Sequence, residues 1–229
     1  MLNFKKMTTI GAASVVALLA GGAAQAAEGF ANGGFELAAA GTPNPGSALV
    51  AAGWATPLGQ PPAVRSSEEA HSGSFSAKLS VPNGFNASVL FQNNVADGGM
   101  PALTVGDTPS LSFWIKGVKG ETADVAFNLR YLAPNGGILE NNGGFHSLNA
   151  SISSTWKQVT FQGAAVPAGA VAAFLLFNDG LGPIIGPTDK VYIDDVSLSV
   201  AGAVPEPETY ALMLAGLAGV GAMVRRRRA

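Results

Sequence analysis

The chain has 229 residues, of which 48% are hydrophobic and 12% charged, and its formal net charge is −2. It contains no cysteine, which excludes disulfides and thiolate metal sites. Six of the 13 lysines and arginines lie in the two terminal segments, so acidic residues outnumber basic ones between them. An acidic centre without clustered Lys and Arg argues against nucleic acid as a partner.

A secretory signal peptide is predicted at residues 1–26. Two lysines precede an apolar stretch at residues 10–20, and the Ala-Gln-Ala tripeptide at residues 24–26 satisfies the small-x-small cleavage rule. We therefore expect an exported protein whose mature chain begins at Ala27.

Residues 27–202 are predicted to form one domain, an all-β sandwich of two antiparallel sheets. No stretch has sustained helical periodicity, whereas apolar and polar side chains alternate over residues 111–116 and 125–131. Further strands are predicted at residues 76–81, 87–92, 158–162, 172–178 and 191–200. The Gly-, Pro- and Ala-rich or Asn-rich segments at 38–53, 59–62 and 135–144 are expected to be surface loops.

The last predicted strand changes its alternation phase halfway along. Val191 and Ile193 share one phase, while Val196 and Leu198 share the other. A β-bulge at residues 194–195 would return all four side chains to one apolar face.

Residues 203–229 contain three elements in a fixed order. The spacer Pro205-Glu206-Pro207 is followed by an apolar run at residues 210–224 and by Arg225, Arg226, Arg227 and Arg228. As a transmembrane helix, the run would rise about 22 Å, which is short of the roughly 30 Å hydrocarbon core. The arginines would keep the C-terminus on the cytoplasmic side.

This order resembles the PEP-CTERM sorting signal of bacterial envelope proteins, in which Pro-Glu-Pro is the namesake motif. The resemblance implies processing by the membrane transpeptidase exosortase and a transient anchor in the inner membrane. It also implies delivery to the envelope, the surface or the extracellular matrix of a Gram-negative-type bacterium. An ordinary C-terminal membrane anchor is the alternative.

Short motifs also follow one another through the domain. They are Asn32-Gly33-Gly34-Phe35-Glu36, Gly53-Trp54 and the segments at residues 70–76, 111–116, 156–161 and 191–196. Their order resembles the galactose-binding-like jelly rolls, especially the carbohydrate-binding modules found beside xylanases and cellulases. The resemblance implies a jelly-roll fold and a polysaccharide partner.

A structural calcium site is expected where the ends of the domain meet. If Glu36 begins the first strand and Asp194-Asp195 lies in the last, antiparallel pairing would bring together carboxylates, which are suitable ligands for Ca²⁺. In the resembling modules a calcium ion sits at this place. By motif position, Glu36 and Asp195 would give side-chain oxygens, Gly34 a carbonyl, and the turn from His71 to Ser74 further carbonyls. Alternatively, these acids cap surface loops.

Trp114 is the best candidate for sugar stacking, because its strand neighbours fit the core phase and it points the other way. Asn128 and Arg130 are also out of core phase and would donate hydrogen bonds on the same concave sheet if their strand lies nearby. The alternative is that a loop covers Trp114. Trp54 and Trp156 are expected in the core. Phe174 and Phe177 fall on opposite faces of one strand, so one belongs to the core and the other is a weaker platform candidate.

No motif selects a catalytic triad or a carboxylate pair, and the chain is not expected to be an enzyme. The leading interpretation is an exported, noncatalytic binding or matrix protein whose jelly roll engages a polysaccharide. A structural surface or biofilm protein without a sugar site is the first alternative, and a small envelope hydrolase is the second.

Overall fold

The structure is a computed structural model that describes residues 30–43, 45–81, 87–93, 104–117, 124–180 and 190–199. The predicted signal peptide and the residues of the predicted sorting segment lie outside these ranges. Within them, all regular secondary structure is β. No helix in this part of the chain is long and apolar enough to cross a membrane.

The described residues form twelve strands. They are β1 Ser47–Ala51, β2 Trp54–Pro57, β3 Val64–Ser66, β4 Ser76–Leu79, β5 Ser88–Asn93, β6 Ser110–Gly117, β7 Val125–Leu132, β8 Ile138–Glu140, β9 His146–Ser147, β10 Lys157–Gln162, β11 Ala172–Asp179 and β12 Val191–Ser199. The seven strands predicted from alternation correspond to β4, β5, β6, β7, β10, β11 and β12.

The strands form two sheets whose neighbours pair antiparallel. The seven-stranded sheet has the order β1-β2-β5-β11-β7-β8, with β9 also paired to β7, and the five-stranded sheet has the order β10-β6-β12-β4-β3. Strands consecutive in sequence repeatedly cross from one sheet to the other, as in a jelly roll. The predicted antiparallel two-sheet sandwich is confirmed.

Two segments predicted as loops contain short strands, and the prediction was wrong there. β1 lies within residues 38–53, and β8 lies within residues 135–144. β1 does not alternate regularly between apolar and polar or between buried and exposed residues, and β8 has only three residues, so neither carries the pattern. They form because a neighbouring strand pairs with them, as Leu49 does with Ala55.

The hydrophobic core lies between the sheets and follows the predicted alternation. Leu111, Phe113 and Ile115 of β6 are fully buried, as are Leu175 and Phe177 of β11. The rings of Phe113 and Phe177 come from opposite sheets and meet edge to face, with centroids 4.9 Å apart. This geometry is one that aromatic pairs prefer.

Trp54 anchors the N-terminal segment to the core. Its indole is fully buried, and its ring lies 6.1 Å from that of Phe30 and 5.1 Å from that of Phe35. The indole N–H donates to the carbonyl oxygens of Ala31 and Asn32, both at 3.1 Å. The prediction of a core position for Trp54 is confirmed.

The predicted bulge in β12 is also confirmed. The register between β12 and β6 shifts between Asp194 and Ser197, and Asp195 has a positive φ of 48°. The backbone N–H of Val196 beyond the bulge donates to the carbonyl oxygen of Gly33 at 3.0 Å. We call this meeting of residues 31–36 with residues 194–196 the chain-end junction.

Gly33 and Gly34 give a matched test of how tightly the chain-end junction is packed. A Cβ at Gly33 would lie 1.8 Å from the Val196 carbonyl oxygen, whereas a Cβ at Gly34 would lie 3.5 Å from its nearest neighbour, an oxygen of Asp195. We expect Gly33→Ala to lower the free energy of unfolding by about 2 kcal/mol or more, and Gly34→Ala by less than about 1 kcal/mol. Denaturant titration of both variants measures this difference. Equal losses would contradict the close contact.

Candidate functional site

Residues 67–75 cross the outer face of the five-stranded sheet, and we call this segment the strap. The Glu68 carboxylate accepts hydrogen bonds from Lys78, from Lys190 at 3.2 Å and from Tyr192 at 2.9 Å. The Lys78 hydrogen bond, followed by those of Tyr192 and Lys190, lowers the pKa of Glu68 to about 2. These contacts fix the strap on the sheet.

Trp114 lies under the strap. Its ring stacks on the His71 imidazole, with centroids 3.8 Å apart and planes 13° from parallel. Trp156 meets the same imidazole edge-on at 5.7 Å and is half-buried, so its predicted place in the core was wrong. The position of Trp114 under the strap therefore agrees with the alternative given above, in which a loop covers this residue.

Trp114 is not brought together with Asn128 and Arg130. Trp114 belongs to β6 in the five-stranded sheet, whereas Asn128 and Arg130 belong to β7 in the seven-stranded sheet. The expectation that the three side chains share one sheet was wrong. Alternation places each residue on one side of its own strand and carries no information about which sheet that strand joins.

Two adjacent carboxylates of β12 hold the strap from below. Asp194 accepts hydrogen bonds from the backbone N–H groups of His71 at 2.7 Å, Ser72 at 3.2 Å and Asp195 at 2.8 Å. Asp195 contacts the His71 Nδ1 atom at 2.6 Å and accepts from the Ser72 hydroxyl at 2.6 Å. The bulge therefore points both carboxylates at one turn of the strap.

Burial raises the pKa of Asp194 to about 6, because its side chain is shielded from water inside the chain-end junction. The three backbone N–H groups that it accepts from act in the opposite direction, and the neighbouring charge of Asp195 raises the pKa further. The three backbone donors stabilise this buried carboxylate. Removing either the donors or the carboxylate would therefore lower the stability of the fold.

Glu36 reaches the same turn from the other end of the domain. One of its carboxylate oxygens accepts from the backbone N–H groups of Ser74 at 2.8 Å and Phe75 at 2.9 Å. Glu36 precedes β1 and is not in a strand, so the expected antiparallel pairing with Asp195 was wrong. The expected convergence on the strap nevertheless occurs, through hydrogen bonds from a loop.

The predicted calcium ligands therefore gather around one turn, but the structure gives their atoms other roles. His71 and Ser74 contribute N–H groups to the contacts, and both oxygens of Asp195 already face protein donors. Among the described residues, no group of three or more His, Asp or Glu side chains is arranged to hold a metal ion. The oxygen chemistry suits Ca²⁺, whereas this hydrogen-bonded arrangement does not present it with a ready coordination shell.

A hydroxyl, an imidazole and a carboxylate also meet here, but not as a catalytic triad. The Ser72 hydroxyl donates to Asp195 and not to His71. A triad requires the hydroxyl to be hydrogen-bonded to the imidazole that removes its proton. The contacts of this cluster fasten the strap.

The outer face of the seven-stranded sheet carries the second cluster. Cross-strand register sets Phe174 beside Arg130, and sets Leu176 between Asn128 and Phe91. The rings of Phe91 and Phe174 stack with centroids 5.6 Å apart and planes 27° from parallel. We call these five residues the outer platform.

Three of the five residues of the outer platform are apolar, on a face where polar residues are usual. A sandwich sheet normally alternates core-facing apolar residues with outward polar ones. Here Phe177 is fully buried, as one of the two alternatives for β11 required, and Phe174 points outward. Phe91, Phe174 and Leu176 are all half-buried. Such a surface can contact a ligand without any rearrangement of the core.

Arg130 and Asn128 border the aromatic pair. The Arg130 Nε atom donates to the side-chain oxygen of Asn128, and its guanidinium carbon lies 5.6 Å from the Phe174 ring centroid. Asn128 is fully buried and donates to the carbonyl oxygens of Asn141, at 3.2 Å, and of Gly144. Asn128 therefore positions Arg130, which is half-buried.

Phe91 was not predicted as a site residue. Its strand has apolar residues in both phases, with Val89 and Phe91 in one and Leu90 in the other. Alternation therefore did not identify the outward phase. Only the pairing of Leu90 with Phe177 of the core shows that Phe91 faces outward.

The described residues thus form a jelly-roll sandwich with one strapped face and one apolar outer platform. Residues 203–228 match the PEP-CTERM protein-sorting motif. This match confirms the resemblance seen in Pro205-Glu206-Pro207 and the terminal arginines, and it implies export to the cell envelope or surface. No curated protein sequence matches the chain.

The chain is similar in structure to two carbohydrate-binding modules. It has 14% identity to the CBM22-1 xylan-binding domain of Paenibacillus barcinonensis Xyn10C, over 69% of this chain and 91% of that one, with a TM-score of 0.46. It has 17% identity to the C-terminal family 22 module of Clostridium thermocellum Xyn10B, over 78% and 98%, with a TM-score of 0.46.

The enzymatically active domain of bacteriophage CBA120 tailspike protein 4 is also similar, with 20% identity and a TM-score of 0.49. That match covers 65% of this chain but spans only 19% of the phage protein.

Removing the Asp194 carboxylate tests its hold on the strap. We expect Asp194→Ala to lower the free energy of unfolding by about 2–4 kcal/mol, because three backbone N–H groups lose their acceptor in a buried place. The matched control is Glu69→Ala, which removes an exposed carboxylate that pairs with Lys116 and should cost less than about 1 kcal/mol. Thermal and denaturant unfolding measure both. A small loss for Asp194→Ala would contradict its role.

Proposed function

We propose that this protein is an exported, noncatalytic polysaccharide-binding protein of the cell envelope or extracellular matrix, and that it binds sugar on the outer platform. The observation that carries the proposal is the stacked pair of Phe91 and Phe174, which points away from the core beside the guanidinium of Arg130.

Sugar rings have apolar C–H faces and polar edges, so a binding site needs flat apolar surface next to hydrogen-bond donors. Phe91 and Phe174 would supply adjacent surfaces for successive units of a polymer. The Arg130 side chain, whose orientation Asn128 fixes, would supply donors for oxygen atoms at the sugar edge. This combination of groups supports a carbohydrate ligand.

The sorting motif supports a place of action outside the cytoplasm. In this proposal exosortase processes the chain near Pro205-Glu206-Pro207, after residues 210–224 have served as a transient anchor in the inner membrane of a Gram-negative-type bacterium. The polymer bound would then be one that the protein meets at the surface, such as the producer's own extracellular polysaccharide.

A structural surface or biofilm protein without a sugar site is the second candidate. The stacking of His71 on Trp114 favours it, because this outward-facing tryptophan is used for packing the strap. In that case the sandwich would act only as a stable unit of the matrix.

Truncation of Phe174 distinguishes the two candidates. We expect Phe174→Ala to reduce polysaccharide binding by about tenfold or more while the fold persists, because stacking surface is lost from the outer platform. Retention on a panel of immobilised neutral and acidic polysaccharides measures binding, and circular dichroism confirms the fold.

The control is Trp114→Phe, an aromatic substitution on the strapped sheet that should leave binding unchanged. If the unmodified protein binds nothing across the panel, the structural candidate is favoured. If Trp114→Phe abolishes binding and Phe174→Ala does not, the site has been placed on the wrong sheet.

Calcium binding at the chain-end junction is a separate proposal. Glu36 and Asp195, the Gly34 carbonyl and the turn from His71 to Ser74 would supply oxygen ligands, and His71 would have to release Asp195. What supports it is that carboxylates from both ends of the domain meet at this turn. The ion would be structural, holding those ends together.

Thermal unfolding with Ca²⁺ and with a chelator tests this. An ion bound only by the folded state raises its stability, by about 2.7 kcal/mol at a concentration one hundred times Kd. We expect a higher melting temperature with Ca²⁺, and no such shift in Asp195→Asn. An unchanged transition in the unmodified protein would show that the hydrogen bonds suffice without a metal.

A further inference from the structure

We infer that the polysaccharide recognised by the outer platform is acidic, with sugar carboxylates that pair with Arg130. This inference rests on the proposed function and specifies the class of sugar. It follows from the surroundings of one half-buried guanidinium.

Arg130 carries the only charge among the described outward-facing side chains of the three central strands, β5, β7 and β11. Register and burial place the others on this face as apolar side chains or as the amides Asn128 and Asn178. A single cation in an apolar setting is a distinctive feature, because burying a charged group further is unfavourable unless it gains a partner.

Within the described ranges, no carboxylate pairs with Arg130. The ion pairs found there involve His71, Lys78, Lys116 and Lys190. With the described residues, the Arg130 side chain makes the hydrogen bond to the Asn128 oxygen and approaches the Phe174 ring.

Arg65 shows how this chain employs a guanidinium for structure. Its Nε and terminal nitrogens donate to the carbonyl oxygens of Phe35, at 2.6 Å, and Glu36, at 2.8 Å. Its face lies 3.2 Å from the Phe75 ring centroid. Arg65 is thus committed to joining segments of the fold. Among the described residues, the Arg130 side chain binds only its own strand neighbour and a flanking ring.

A ligand stacked on Phe174 would cover the adjacent guanidinium and remove water from it. Burying a cation further is unfavourable unless an anion or several hydrogen bonds replace that water. A sugar carboxylate offers two oxygens that match the fork of guanidinium donors, whereas a neutral hydroxyl offers no charge. The site should therefore prefer an acidic sugar to its neutral counterpart.

The guanidinium is also held in one orientation. Its Nε atom is occupied by Asn128, and Asn128 is fully buried and fixed by two backbone carbonyls. Less side-chain entropy is then lost when a ligand binds. Lysine at this position would keep the charge but lose the planar fork.

Long-range attraction does not account for such a preference, because the domain between the terminal segments is acidic. The net negative charge of the domain would repel an acidic polymer, and only the ion pair between Arg130 and a sugar carboxylate would attract it. The preference should therefore depend on Arg130 itself and not on the total charge of the protein.

The test uses the full-length chain in a nonionic detergent that contains no sugar. The probes are polygalacturonate, alginate and glucuronoxylan, each compared with its carboxyl-reduced form, and immobilised-polymer assays give the affinities. We expect at least one acidic polymer to bind about tenfold more tightly than its reduced form. Arg130→Gln should bring the two forms to the same weak affinity, and Arg130→Lys should retain part of the preference.

The matched control is Lys157→Gln, which removes one positive charge from the exposed strand β10 of the other sheet and should leave the preference intact. Equal affinity of the unmodified protein for acidic and reduced forms would overturn the acid preference while leaving polysaccharide binding standing. Failure to bind any polymer would overturn both. A preference that survives Arg130→Gln would overturn the assignment to this residue, and Arg130→Lys serves if the Gln variant does not fold.

Discussion

The contact between the backbones of Gly33 and Val196 is the constraint on which the rest of the structure depends. It forces a glycine at one end of the domain and a bulge at the other, because no side chain fits between the two segments. The bulge turns Asp194 and Asp195 toward the strap, and the adjacent turn delivers Phe30 and Phe35 to Trp54. Closure of the sandwich and cover of one sheet thus share a single origin.

The two outer faces differ because their polar groups are used differently. On the five-stranded sheet, charged residues of the strap meet lysines of the sheet, and His71 of the strap stacks on the half-buried ring of Trp114. On the seven-stranded sheet, the buried amide of Asn128 donates to loop carbonyls and accepts from Arg130. The half-buried rings beside it keep one side open to contact. Within the described part of the chain, this second face sets apolar surface beside donors that the fold does not use, which favours a binding site there.

The sequence pattern predicted the features that depend on a single strand. Alternation located the long strands, and the phase change after Ile193 located the bulge. The same reasoning could not find β1 or β8, whose pairing partners define them, nor determine the sheet to which Trp114 belongs. Cover of Trp114 by His71 depends on residues 43 positions apart in the chain, and the outward position of Phe91 depends on β11. Such contacts between distant segments are set by topology, which the local pattern does not encode.

The position of β12 has a mechanical consequence. This strand is the last one described before the sorting segment, and it lies at the centre of its sheet, between β6 and β4. If the chain is held at its C-terminal end while a polymer pulls on the opposite sheet, the load enters along the axis of β12. Hydrogen bonds on both sides then bear it together in shear, instead of opening one after another as they would at an edge strand. The order of strands therefore suits a domain that must stay folded under tension.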